Sequence, residues 1–223
     1  MIKHNILVIA AHPDDEILGC CGTLLKYLAN GSSVKIIYLS DGESSRDNIN
    51  CQNINERKQQ CLSALSVMGI EDFTFYDFPD NKFDSIPLLN IVKVLEDEIK
   101  NFMPTKIYTH HPHDLNIDHM LTSKALITAA RPLPNSTISE INFFEIPSAS
   151  NWNFSEKYFS PNKFVDITEY WDKKIECLKQ YSNELREFPH PRSLQSLTSL
   201  AIYRGSLIGC EKAESFFIHR QFN

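Results

Sequence analysis

Two short stretches of this 223-residue sequence concentrate side chains that bind metals and move protons. The first, Ala11-His12-Pro13-Asp14-Asp15-Glu16, holds one imidazole followed by three carboxylates. The second, His110-His111-Pro112-His113-Asp114-Leu115-Asn116-Ile117-Asp118-His119, adds four imidazoles and two carboxylates. A catalytic zinc takes three protein ligands of nitrogen and carboxylate type and keeps one position open for water, and the two stretches together can supply that set around one ion. Each alone has a plainer explanation. Asp14 or Asp15 would N-cap a helix starting at Glu16, where the helix dipole favours a carboxylate, and a histidine-rich loop can simply be solvated. Both explanations weaken once a fold sets the stretches side by side. Cys20-Cys21 is near enough to offer a thiolate, but the helix there should turn it into the core.

The elements that must position these stretches read as an α/β alternation. Ile6-Leu7-Val8-Ile9-Ala10-Ala11 is a continuous apolar run, the pattern of a central parallel strand buried on both faces. Apolar residues at Ile17, Leu18, Cys21, Leu24, Leu25 and Leu28 give a helix over 16–30, stopped by Asn30-Gly31. A strand at 34–39, a polar loop at 40–50, a helix over about 55–68 ending at Gly69, a strand at 73–76, a helix over about 86–101 and a strand at 106–109 continue the series. Next come a helix over 121–130, a strand over 140–146, a loop-rich cap between 147 and 161, and a long helix over 171–188. The stretch 194–217 is expected to be helical with a break near Gly205 or Gly209. This order predicts a Rossmann-like, mostly parallel sheet flanked by helices, one domain over residues 1–223, with crossovers of the usual hand. The loops after the strands, at His12, Asp41 and Thr109, then open on the same sheet edge, where ligands bind in such folds.

Composition bounds the partners. A formal net charge of −6 offers no basic field for nucleic acid, and no apolar stretch reaches the roughly 20 residues of a membrane span. The six cysteines lack C-x-x-C spacing, and no secretory leader precedes the first strand, so reduced thiols in a cytoplasmic protein are expected. Oligomeric state is open, a homo-oligomer included.

His12-Pro13-Asp14-Asp15-Glu16 resembles the A-H-P-D-D-E signature of the PIG-L or LmbE-like N-deacetylases, and Asp118-His119 resembles the end of that family's second motif. The likeness extends to Asp41-Gly42 after the second strand. It implies a Rossmann-like fold, one zinc per chain held by His12, Asp15 and His119, and Asp14 as the general base toward the attacking water, with other divalent ions able to replace zinc. Glu16 is then a helix-start residue or stands behind the ligands. Asp118 would hydrogen-bond and tune a neighbouring imidazole. The chain departs from the pattern at Asn116, where many members carry histidine. Asparagine can donate a hydrogen bond to an oxyanion but no proton at neutral pH, which leaves His113 and His190 as the available acids.

Substrate contacts are expected from Asp80, which resembles a sugar-binding aspartate of relatives, and from Arg46, Arg192 and His113. Trp152 and Phe154 could stack on a sugar face. The expected activity is zinc-dependent removal of an N-acyl group, an acetyl group foremost, from an amino sugar or sugar conjugate. The rival is a non-catalytic zinc- or sugar-binding module. A nucleotide-binding oxidoreductase lacks support, since His12-Pro13-Asp14 stands where a glycine-rich turn is needed.

Overall fold

The computed structural model describes residues 2–45 and 51–222. Its sheet has seven strands in the order β3-β2-β1-β4-β5-β7-β6. These are β1 (Asn5–Ala10), β2 (Ser33–Tyr38), β3 (Asp72–Phe75), β4 (Lys106–His110), β5 (Glu140–Phe144), β6 (Lys163–Asp166) and β7 (Ala213–Gln221). The first five are parallel, and β7 runs antiparallel to both β5 and β6. The helices are α1 (Asp15–Ala29), α2 (Cys51–Met68), α3 (Leu88–Phe102), α4 (Ile117–Ala129), α5 (Trp171–Gln180) and α6 (Leu194–Ser206). The Rossmann-like, mostly parallel arrangement is therefore present. Among the described residues no helix is long and apolar enough to cross a membrane.

The apolar run of β1 has a direct cause. Ile6, Val8 and Ala10 enter one core layer, while Leu7, Ile9 and Ala11 enter the layer on the other face, so every side chain of the strand after Asn5 is apolar. β1 pairs with β2 on one side and β4 on the other. Strand order reverses between β1 and β4, the switch point at which the C-terminal ends leave a crevice. Both polar stretches emerge there.

Besides α2, which starts at Cys51 rather than about 55, four features differ from the sequence-based expectation. α4 starts at Ile117, not 121, because the Asn116 side chain caps it by accepting from Asp118 N and His119 N at 2.8 and 3.3 Å. α5 stops at Gln180, not 188. Tyr181 and Leu185 keep a helical spacing and pack on the core, although the chain has already turned at Tyr181. The stretch 194–217 is not helical throughout, since α6 ends at Ser206 and β7 follows. A Cβ at Gly205 would stand 2.7 Å from the Cys210 carbonyl oxygen, and Gly209 turns at φ +74°. Finally, β6 lies in a segment to which sequence assigned no element. Its Lys163 ammonium reaches the Glu140 carboxylate at the start of β5.

Candidate metal centre

His12 and Asp15 leave the end of β1, and His119 stands in the first turn of α4; one donor atom from each lies within 4.8 Å of the others. His12 Nδ1 is 3.3 Å from His119 Nε2 and 3.4 Å from Asp15 Oδ2. Asp15 Oδ1 is 3.4 Å from His119 Nε2. All three residues are buried. The far nitrogen of each histidine faces a carboxylate. His12 Nε2 is 3.1 Å from both Asp118 Oδ2 and Asp80 Oδ1, and His119 Nδ1 is 3.3 Å from Asp114 Oδ2. Protonation on those outer nitrogens leaves the inner lone pairs converging, the usual orientation of metal-ligating histidines. A second, overlapping cluster joins His12, Asp80 and Asp118.

The donor set fits a divalent cation. Asp15 Oδ2 accepts the His12 backbone N–H at 2.8 Å, whereas Asp15 Oδ1 is buried with no hydrogen-bond partner and faces the His119 imidazole. A buried carboxylate oxygen left without a partner is costly unless positive charge meets it. The titration directions show the same demand. Burial opposes charge on His12, yet hydrogen bonds to Asp118, Asp15 and Asp80 raise its pKa well above the ordinary range. Burial alone would raise Asp15, but His119, His110 and His12 hold it well below the usual carboxylate range. For Asp80 burial is likewise outweighed, by His12 and Ser45, and its pKa falls to about 2.

Asp14 turns the other way. Its Oδ2 meets Arg57 Nη2 at 3.0 Å and Arg192 Nη1 at 3.1 Å, and both guanidinium groups also contact Glu184. Burial nevertheless dominates these cations and raises the Asp14 pKa above its ordinary value, which makes it a better proton acceptor. Asp14 and Asp15, adjacent in sequence, thus face different partners. The cleft between them measures about 140 Å³, with Arg57, Asp80, Asn81, Asn116 and Arg192 among its walls.

The remaining expected residues are placed unevenly. Asp118 is fully buried behind His12 and accepts the Asn81 and Phe83 backbone N–H groups at 2.6 and 3.0 Å. Asp80 is almost fully buried and accepts from Ser45 Oγ at 2.6 Å. Asn116 donates from Nδ2 to Asn81 Oδ1 at 3.0 Å while its oxygen caps α4. Arg46 lies outside the described residues. His113 is exposed and packs edge-on to His111. His190 accepts the Arg192 backbone N–H at 3.0 Å and meets Trp152 edge-on. His113 and His190 are both absent from the cleft wall. Trp152 and Phe154 are exposed. Cys20 and Cys21 are buried in the core, where burial pushes both thiols up, so they are not thiolate donors.

Sequence reasoning missed Arg57, Glu184, Tyr181, His110 and Asp114. His110 accepts the Ala11 N–H at 2.9 Å and stacks on His119 with centroids 3.9 Å apart. Burial and the neighbouring His119 lower its pKa to about 3, so it stays neutral. The signal for His110 and Asp114 was their place in the histidine-rich stretch. Arg57 offered only one of two adjacent cations, Arg57-Lys58, on a helix.

A Rossmann-like sheet with a two-histidine, one-carboxylate centre at its switch point belongs to the class of α/β enzymes with a metal-capable active site. The family model for PIG-L, GlcNAc-PI de-N-acetylase, matches residues 7–130, and the chain belongs to this family. It is 29% identical over 187 residues to YaiS, an uncharacterized deacetylase of Escherichia coli K12, across 81% of this chain and 92% of the relative. N,N'-diacetylchitobiose deacetylase from Pyrococcus horikoshii superposes with a TM-score of 0.77 at 20% identity, over 96% of this chain and 83% of its own. The hydratase GalB of Pseudomonas putida KT2440, which acts on 4-carboxy-2-hydroxymuconate, superposes with a TM-score of 0.79 at 20% identity, over 100% and 98%. These two likenesses establish the fold. Since that fold carries both a deacetylase and a hydratase, chemistry has to be argued from the site.

Proposed function

We propose that this chain is a zinc-dependent hydrolase that removes an N-acyl group, an acetyl group foremost, from an amino sugar or sugar conjugate. The observation that carries this reading is the divergence of Asp14 from Asp15 beside the His12–His119 pair. His12, Asp15 and His119 would hold the ion, and a set of two nitrogens and one carboxylate suits zinc while tolerating other divalent ions. Bound there, zinc supplies Lewis acidity that polarises an amide carbonyl and makes water nucleophilic near neutral pH.

The chain's own residues do the rest. Asp14 accepts the proton of the attacking water at its carboxylate, with Arg57 and Arg192 fixing that carboxylate in place. The Asn116 Nδ2 group and the guanidinium of Arg192 line the cleft and are the donors available to the oxyanion. Asn116 cannot return a proton to the leaving amine, and His113 and His190 do not line the cleft. We therefore assign that step to Asp14, which gives back the proton it took. Asp80 and Asn81 line this cleft and would meet sugar hydroxyls, Arg46 would make a further substrate contact, and His190, off the cleft wall, would act further out.

The test is acetate release from a panel of N-acetylated sugars and sugar conjugates by metal-stripped and zinc-restored protein. Release only after zinc is restored supports the proposal. Zinc-dependent binding with no release across the panel moves the assignment to a binding module, and zinc-dependent hydration of an unsaturated tricarboxylate moves it to a hydratase.

A further inference from the structure

Asp14 lies at φ 109° and ψ −25°, a conformation that a residue with a Cβ holds only where its surroundings impose it. It occupies the N-cap position of α1, yet its side chain makes no capping bond. Instead its backbone N–H donates to Glu16 Oε2 at 3.1 Å. The other oxygen of that carboxylate, Oε1, accepts the Tyr181 hydroxyl at 2.9 Å. Glu16 and Tyr181 are 0% and 1% exposed, so solvent does not compete for either bond. In the common helix-start device a glutamate at N3 reaches back to the N-cap amide, whereas Glu16 stands one position earlier, at N2. That device needs neither complete burial nor a tyrosine from a distant turn.

Tyr181 also reaches Asp14 by a second route. The Arg57 guanidinium lies 5.3 Å over the Tyr181 ring and holds Asp14 Oδ2 at 3.0 Å. One side chain therefore stands behind both the backbone amide and the carboxylate of Asp14. The turn that Tyr181 opens carries Glu184, whose backbone N–H donates to the Tyr181 carbonyl at 2.9 Å. Glu184 in turn contacts Arg57 and Arg192.

We infer that Glu16 and Tyr181 are positioning residues that hold Asp14 in its left-handed backbone conformation, so that its carboxylate faces the cleft while Asp15 faces the histidines. The catalytic consequence rests on Asp14 being the base, and the conformational one does not. Tyr181→Phe removes only the hydroxyl, and Glu16→Leu removes the acceptor while keeping bulk. Glu16→Gln keeps an acceptor for the Asp14 amide. The first two variants should bind one zinc per chain and lose about 10- to 100-fold in kcat for acetate release, with KM within about twofold. Glu16→Gln should recover most of that loss. Crystal structures of Tyr181→Phe and Glu16→Leu should show Asp14 at negative φ or its carboxylate turned away from Arg57. Asp14 unmoved in both structures, or kcat unchanged in both variants, overturns the inference. Wild-type protein that releases no acetate would instead sink the base assignment, and the structures would still decide the positioning role. If Glu16→Leu does not fold, Tyr181→Phe decides alone.

Discussion

His12 points one ring nitrogen at Asp118 and the other at His119: Nε2 lies 3.1 Å from Asp118 Oδ2, and Nδ1 lies 3.3 Å from His119 Nε2. Asp118 is itself fixed by the Asn81 and Phe83 amides, so the imidazole inherits its orientation from the backbone of the loop after β3. Asp118→Asn keeps an acceptor for only one of those two amides, which meet different carboxylate oxygens, and removes the charge behind His12. Zinc affinity should fall about 10- to 100-fold, as for other carboxylates placed behind ligating histidines. Competition against a chromogenic chelator measures this, and an unchanged Kd would remove Asp118 from the centre.

Asp14→Asn separates the base from the ligands. Asparagine tolerates a positive φ, so the backbone at φ 109° is retained. The zinc content should match wild type while kcat for acetate release falls about 10²- to 10⁴-fold, the usual contribution of a general base. A rate within tenfold of wild type would move the base role elsewhere.

Asn116 stands where a proton donor was expected and is used as a helix cap. Replacing it by alanine leaves the Asp118 and His119 amides without their acceptor. Unfolding free energy should drop by about 1 kcal/mol, readable by urea denaturation. Asn116→Asp keeps the capping oxygen and should lose less. Equal losses in the two variants would show that the cap is not what Asn116 supplies.

The fold was legible where one physical cause dominated the pattern. β1 is buried on both faces, which forces an unbroken apolar run, and Gly31 stops α1 at φ +73°, so both elements could be read from residue types. The centre was legible because its ligands cluster in two stretches that a parallel sheet must bring to one edge. Arg57 was not, because its burial depends on Asp14 and Glu184 arriving from other segments; in α2 alone it reads as a solvent-facing cation. The end of α5 was hidden by Tyr181 and Leu185, which keep helical spacing after the helix has stopped. β7 was hidden because its pairing with β5 and β6 is long-range, and Phe216-Phe217-Ile218 is too short a run to separate strand from helix.

Close packing behind the centre predicts a sharp steric effect. A Cβ at Gly19 would lie 2.5 Å from Phe144 Cδ2 and 3.1 Å from its Cβ, too near the main chain of β5 for a rotamer change to relieve it. Gly19→Ala should destabilise the protein by about 1–3 kcal/mol. Because the Phe144 ring packs edge-on to His110, which stacks on His119, zinc affinity should weaken as well. A variant as stable as wild type would mean that α1 can shift away from β5 without cost.

Acid stability should depend on Glu140 at the start of β5. Burial would raise its pKa, but Lys163 and Lys106 outweigh it and pull it from the ordinary 4.5 to about 2. A carboxyl whose folded-state pKa is depressed binds protons more readily in the unfolded chain, so its stabilisation is complete above about pH 4.5 and is lost as pH falls toward 2. Glu140→Gln removes that titration and leaves Lys163 and Lys106 facing a neutral amide. Compared by urea melts at several pH values, the variant should be less stable than wild type at pH 7, and the gap should close progressively between pH 4.5 and 2. A gap that stays constant over this range would show that the pair is not held in the folded state, and that β6 is fastened to the sheet by its backbone ladder alone.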